Sequence, residues 1–115
     1  MTWWLFLKNI SEIIDIKKQT GLLPSEITSI KKICLQNANT ESVILFGSRA
    51  KGNYKNGSDI DLCLTGKTLS IEDITSISLI LNEETLFPYE FDILDWNKIQ
   101  NQEIAIHIER CGIKL

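Results

Sequence analysis

Two carboxylates stand two residues apart in the otherwise apolar stretch Asp59-Ile60-Asp61-Leu62-Cys63, a pairing that a folded chain has to compensate. Side chains alternate along a strand, so Asp59 and Asp61 share one face while Ile60 and Leu62 turn to the other, into the core. Held side by side they repel, and one tends to take up a proton; a divalent cation between them removes that penalty. Oxygen-only donors favour Mg²⁺ or Mn²⁺ over zinc. Upstream, the run Ser42-Val43-Ile44-Leu45-Phe46 is short, apolar and rich in β-branched residues, and it stops at Gly47 as a buried strand ending in a tight turn does. Gly47 lets backbone approach a ligand closely, Ser48 offers a phosphate a hydroxyl and an amide, and Arg49 and Lys51 add positive charge. A phosphate-gripping turn upstream of two carboxylates reads as a site for a metal-bound nucleoside triphosphate.

Two familiar motifs fail on these residues. Gly47 and Gly52 have P-loop separation, but Asn53-Tyr54 replaces the Lys-Ser/Thr that the P-loop requires. A calcium loop starting at Asp59 fails because Leu64 occupies the position of the sharp-turn glycine and no Glu closes the loop.

Gly47-Ser48, ten intervening residues and Asp59-Ile60-Asp61 resemble the signature of the polymerase-β-like nucleotidyltransferase superfamily. The wording Phe46-Gly47-Ser48-Arg49-Ala50-Lys51-Gly52 and the short length resemble its minimal nucleotidyltransferases, the MNT proteins, over Leu22 to Cys111. The resemblance implies an α/β fold with a small mixed sheet flanked by helices. It implies catalytic and metal-binding roles for Asp59 and Asp61, joined by a third carboxylate on a neighbouring strand. Glu90-Phe91-Asp92-Ile93-Leu94-Asp95 supplies that third group best at Asp92, because alternation sends Phe91 and Ile93 to the opposite face. Asp95 has the wrong parity and is expected to be a turn residue or cap, while Glu90 shares parity with Asp92 and stays an outside candidate. The nucleotide would be held by Gly47, Ser48, Arg49, Lys51 and Ser58, with ATP as substrate and two Mg²⁺ or Mn²⁺ ions as cofactors.

The same resemblance implies a partner, a helical HEPN-type protein encoded nearby, in several pairs a ribonuclease toxin to which the MNT protein is antitoxin. The acceptor would then be a tyrosine hydroxyl of that partner, in a hetero-oligomer or homo-oligomer. The rival reading is a binding module that silences or scaffolds the partner by contact, with weak or absent turnover. A subunit of a small-molecule nucleotidyltransferase is a further variant. Antibiotic nucleotidyltransferases share the motif but carry an additional helical domain for which this chain has no room.

Composition narrows the acceptor. A net charge of −3 and a pI near 5.1 argue against broad, salt-driven binding to nucleic acid, which calls for a basic face. The three cysteines, Cys34, Cys63 and Cys111, are widely spaced in apolar contexts, which suits reduced thiols in the cytoplasm and shows no zinc spacing. The opening Trp3-Trp4-Leu5-Phe6-Leu7 is too short for a membrane span and lacks the marks of a signal peptide, so it is expected to fold back on the domain or meet a partner.

The organisation expected is an N-terminal extension over 1–20, helical from Ser11 to Lys18, and a nucleotidyltransferase domain over 21–115. Periodicity predicts helices over Ser25–Asn37, Ile71–Asn82 and Asn101–Arg110, the last stopped by Gly112, and strands at Ser42–Phe46, Ile60–Leu64 and Glu90–Leu94. The Asn53–Gly57 loop is expected to be mobile and able to close over a nucleotide. His107, the only histidine, sits among Ile104, Ile106 and Ile108, far in sequence from the motif, and is expected to pack or face solvent.

Overall fold

The structure, a computed structural model, describes residues 15–115. The Trp3-Trp4 segment and the start of the Ser11–Lys18 helix lie outside the described residues; residues 15–20 are helical.

Helix α1 spans Pro24–Gln36. Pro24 suits the first turn because its missing N–H would have no partner there, and Glu26 Oε1 accepts the Leu23 amide at 2.9 Å. Ile30 and Cys34, one turn apart, are fully buried. Strand β1 (Ser42–Phe46) leads directly into α2 (Gly47–Lys51), a short helix where the sequence predicted only a tight turn. Strand β2 spans Ile60–Thr65 and helix α3 Ile71–Leu79. A reciprocal cap starts α3: Ser70 Oγ accepts the Asp73 amide at 3.2 Å and Asp73 Oδ2 accepts the Ser70 amide at 3.0 Å.

The helix predicted to Asn82 changes character at Ile80, where a π-helical turn, Ile80–Glu84, takes over. Asn82 explains what that turn secures. Its side chain accepts the Phe91 amide at 2.8 Å and donates to the Phe91 carbonyl at 3.2 Å, fastening the turn to strand β3 (Phe91–Asp95). That strand begins and ends one residue later than predicted, because Asp95 continues the ladder opposite Leu64. Asp95 also caps the 3-10 turn Trp96–Lys98, accepting the Asn97 amide at 3.0 Å, the role its parity suggested. Asn101 caps α4 (Gln102–Cys111). Gly112 ends it with extended backbone, and a Cβ there would meet the Ile108 carbonyl and Ile44. The chain then adds the two-residue strand β4 (Ile113–Lys114), which local pattern did not announce.

The sheet has the order β3-β2-β1-β4, with β2 and β3 parallel and the other neighbours antiparallel. Strand parity divides its residues between two cores. Val43, Leu45, Ile60, Leu62, Leu64, Phe91 and Ile93 pack with Ile30 and Cys34 of α1 and Ile77 of α3. Phe46 and Cys63 pack with Ile108 of α4 on the other face. All three cysteines are free, and burial pushes the Cys34 thiol up to about 12 and the Cys63 thiol to about 11, which keeps both protonated and unreactive. Among the described residues no helix is long and apolar enough to cross a membrane.

Candidate active site

The ladder brings the separated pieces of the motif together. Phe46, which precedes the glycine turn, lies opposite Asp61, and Asp61 lies opposite Asp92. Cross-strand partners project from the same face, so Asp61 has the turn on one side and the second carboxylate on the other. Asp59 stands two residues earlier, exposed at the mouth of β2. The carboxyl of Asp61 is pushed up to about 6, chiefly by burial and then by the negative charges of Asp92 and Asp59. Among the described residues no three carboxylate, imidazole or thiol groups close into a ready-made metal cage; Asp92 and Asp59 lie near enough to Asp61 for their charges to act on its carboxyl.

Gly47 is at φ +76°, in the left-handed region, and a Cβ there would collide with Asp61 Oδ2. Two separate demands therefore select glycine: the backbone conformation and the contact with the carboxylate. Ser48 is half-buried in the first turn of α2, and its carbonyl accepts the Gly52 and Asn53 amides at 3.0 and 3.1 Å. Lys51 is exposed at the end of α2.

Arg49 is placed otherwise than expected. It is 3% exposed; its Nε and Nη2 donate to the Ser58 carbonyl at 3.1 and 3.0 Å, and its Nη1 to the Thr20 carbonyl at 2.9 Å. Its guanidinium lies over the rings of Tyr54, 5.1 Å away, and Tyr89, 4.8 Å away. A guanidinium committed to carbonyls and packed between two rings is a brace under the turn, which corrects the expectation that it would reach a phosphate. Ser58 serves the same brace through its carbonyl, while its Oγ accepts the Lys55 amide at 2.8 Å. Within the loop expected to be mobile, Tyr54 stacks on the Arg49 guanidinium and the Lys55 amide makes a local turn with Ser58.

Sequence reasoning expected His107 to pack or face solvent and missed its hydrogen-bond partner. The histidine comes from α4, yet its Nε2 accepts the Gly47 amide at 2.9 Å and its ring meets Phe46 edge-on, with centroids 6.1 Å apart. The contact spans 60 residues, and the isoleucines around the histidine gave no sign of it. The other feature beyond local pattern is a groove of about 610 Å³ between α3 and β3, bordered by Thr75, Ser78, Asn82 and, from β3, by Asp92.

The model of the family described as Polymerase beta, Nucleotidyltransferase matches residues 28–115. No curated protein matches the chain. Among solved structures it is similar to a chain of a toxin-antitoxin structure with AMP-PNP, at 20% identity and TM-score 0.61, covering 72% of this chain and 66% of that one. A mutant of the toxin-antitoxin pair MntA-HpeT gives 21% identity and TM-score 0.63, covering 82% and 72%. The tri-AMPylated Shewanella oneidensis HEPN toxin in complex with MNT antitoxin gives 15% and 0.54, covering 78% and 66%. This chain spans just under two thirds of the length of the first and third of these, and at such identities the likeness is one of fold. The match over most of the chain, on a sheet that sets Gly47 against Asp61 and Asp61 beside Asp92, has one conclusion: the chain belongs to the polymerase β nucleotidyltransferase family.

Proposed function

We propose that this chain transfers AMP from ATP to a hydroxyl of a helical HEPN-type partner, as the antitoxin of a toxin-antitoxin pair. The observation that carries the reading is the meeting of Gly47 and Asp61, with Asp92 alongside, a glycine turn set against paired carboxylates. The donor set suits divalent magnesium or manganese: it is all oxygen, and the Asp61 carboxyl, raised first by burial and then by the charges of Asp92 and Asp59, would be stabilised in its charged form by a cation. Asp59, Asp61 and Asp92 would hold two such ions, which supply the positive charge that lowers the pKa of the attacking hydroxyl and stabilises the pyrophosphate leaving group.

The chain's own groups do the rest. Ser48 offers its hydroxyl and amide to the phosphates, and exposed Lys51 adds charge at the end of the same helix. Arg49 acts from below, holding α2 to Thr20 and Ser58 so that the turn keeps its shape. The acceptor oxygen attacks the α-phosphorus in line, the α–β anhydride bond breaks, and pyrophosphate leaves while the hydroxyl proton passes to solvent. The groove beside Asp92 gives a partner side chain an approach from the open side of β3. Solved relatives in fold include an antitoxin with an AMPylated HEPN toxin and a complex with an ATP analogue, which supports a protein acceptor and an adenine nucleotide. The acidic chain favours the same acceptor over a polynucleotide.

The test is the intact mass of the protein encoded by the neighbouring gene after incubation with this chain, Mg²⁺ and ATP, with Asp59→Asn/Asp61→Asn as control. A gain of one or more adenylyl groups, absent in the control, is expected. An unchanged mass with the two proteins still co-purifying would overturn transfer to that partner and favour neutralisation by contact.

A further inference from the structure

The Gly47 amide opens a helix, where backbone donors ordinarily lack an intrahelical acceptor. In this protein the acceptor is a side chain from the far end of the sequence, His107 Nε2. That nitrogen carries no proton in the contact, so the ring's N–H is at Nδ1. The imidazole is half-buried and set edge-on against Phe46, and the buried Ile108 next to it anchors α4 on the sheet.

From this arrangement we propose that His107 is a positioning residue of the triphosphate site, acting through the Phe46–Gly47 peptide. The inference rests on the nucleotide reading above and extends it to a helix outside the motif. Holding the Gly47 amide has two consequences. It fixes the rotation of the Phe46–Gly47 peptide, immediately before the Gly47–Ser48 peptide that carries the Ser48 amide. It also fixes the Gly47 Cα, which lies so close to Asp61 that a Cβ would strike the carboxylate, so the same bond limits where Asp61 can move. With the Gly47 amide turned towards α4, the turn offers a phosphate Ser48 in place of Gly47. A group that aligns a turn with a carboxylate without touching substrate should act mainly on how tightly the nucleotide is held.

The experiment uses the full chain and two variants. In His107→Phe a ring is kept against Phe46 but the acceptor is lost; in His107→Gln the amide oxygen can replace Nε2. The ¹⁵N-labelled wild type should show scalar coupling across the N–H···N bond between the Gly47 nitrogen and His107 Nε2, a signature that needs neither nucleotide nor activity. ATP with Mg²⁺ is then titrated into all three proteins. We expect His107→Phe to bind ATP about tenfold more weakly, the worth of one backbone hydrogen bond, and His107→Gln to restore most of the loss. Absence of the coupling, or binding by His107→Phe as tight as wild type, overturns the role of His107 alone. Coupling present with no ATP response from any of the three proteins overturns the nucleotide reading, and the role of His107 with it. If His107→Phe does not fold, His107→Leu, which also lacks the acceptor, replaces it: weaker ATP binding than in His107→Gln upholds the proposal, and binding as tight as wild type overturns it.

Discussion

The two faces of the sheet treat charge in opposite ways. On the face covered by α1 and α3, strand residues Ile60, Leu62 and Leu64 are fully buried, and the charged group at its margin, Arg49, is fully engaged by carbonyls and aromatic rings. On the face covered by α4, β2 contributes Asp61 and Cys63, and Asp61 is half-buried among like charges. A buried cation with its donors satisfied contributes to stability only as part of a brace, whereas a half-buried carboxylate beside two others is an energetic liability in the free chain. The difference separates a charge that the architecture satisfies from one that it leaves uncompensated, which is the one the proposed function assigns to a ligand.

That contrast can be broken from either side. The largest effect is expected from Asp61→Asn, which should lower AMP transfer by about 10³-fold, several kcal/mol of transition-state stabilisation. The same change should leave the melting temperature of the free chain unchanged or raised at neutral pH, since it removes a repelled carboxylate. A clear drop in melting temperature would mean that Asp61 is a structural group. Arg49→Met should do the reverse, costing about 3 kcal/mol in urea unfolding because the Ser58 and Thr20 carbonyls lose their donor. Gly47→Ala crosses between the two: strain at positive φ and the collision with Asp61 should cost about 10²-fold in transfer, with a smaller loss of stability.

Titration sharpens the comparison with smaller effects. The folded Asp61 carboxyl, at about 6, lies above its ordinary value of 3.8, so between those values the folded chain holds more protons than the unfolded one. Without a divalent cation, stability should therefore fall as pH rises through that window and level off above it. Added Mg²⁺ should raise the melting temperature more above pH 6 than below. Asp73 runs the other way. Hydrogen bonds from Asn37, Ser70 and Asn39 hold its carboxyl well below the ordinary range, so its contribution is present above that range and is lost as pH falls through the folded value. Asn37→Ala should weaken that acid-side protection slightly, as read from melting curves at low pH.

Local pattern was enough for much of the frame. Alternation put Asp92 opposite Phe91 and Ile93, and the structure leaves Asp92 exposed while both neighbours are buried. Parity likewise separated Asp95 as a cap. Strand β4 was not legible because two residues carry no period, and the π-helical turn was not because its cause is Asn82 meeting the backbone of β3. For Arg49 and His107 the missing information was of one kind: a cation near a phosphate turn looks like a ligand, and a histidine among isoleucines looks like packing, and neither pattern names the hydrogen-bond partners that folding supplies.

The sequence by itself determined what short-range physics controls. The strand period set which side chains share a face, Gly47 marked the end of a strand in a tight turn, and two carboxylates on one face pointed to a compensating cation. Tertiary structure alone decided which groups those residues meet. Thr20 and Ser58 claim Arg49 across 29 and 9 residues, and His107 claims the Gly47 amide across 60. Asp92 reaches Asp61 only because β3 pairs parallel to β2. Hydrogen bonds and charge–charge interactions act over a few ångströms in space, and separation along the chain carries no record of which distant groups folding will bring that close.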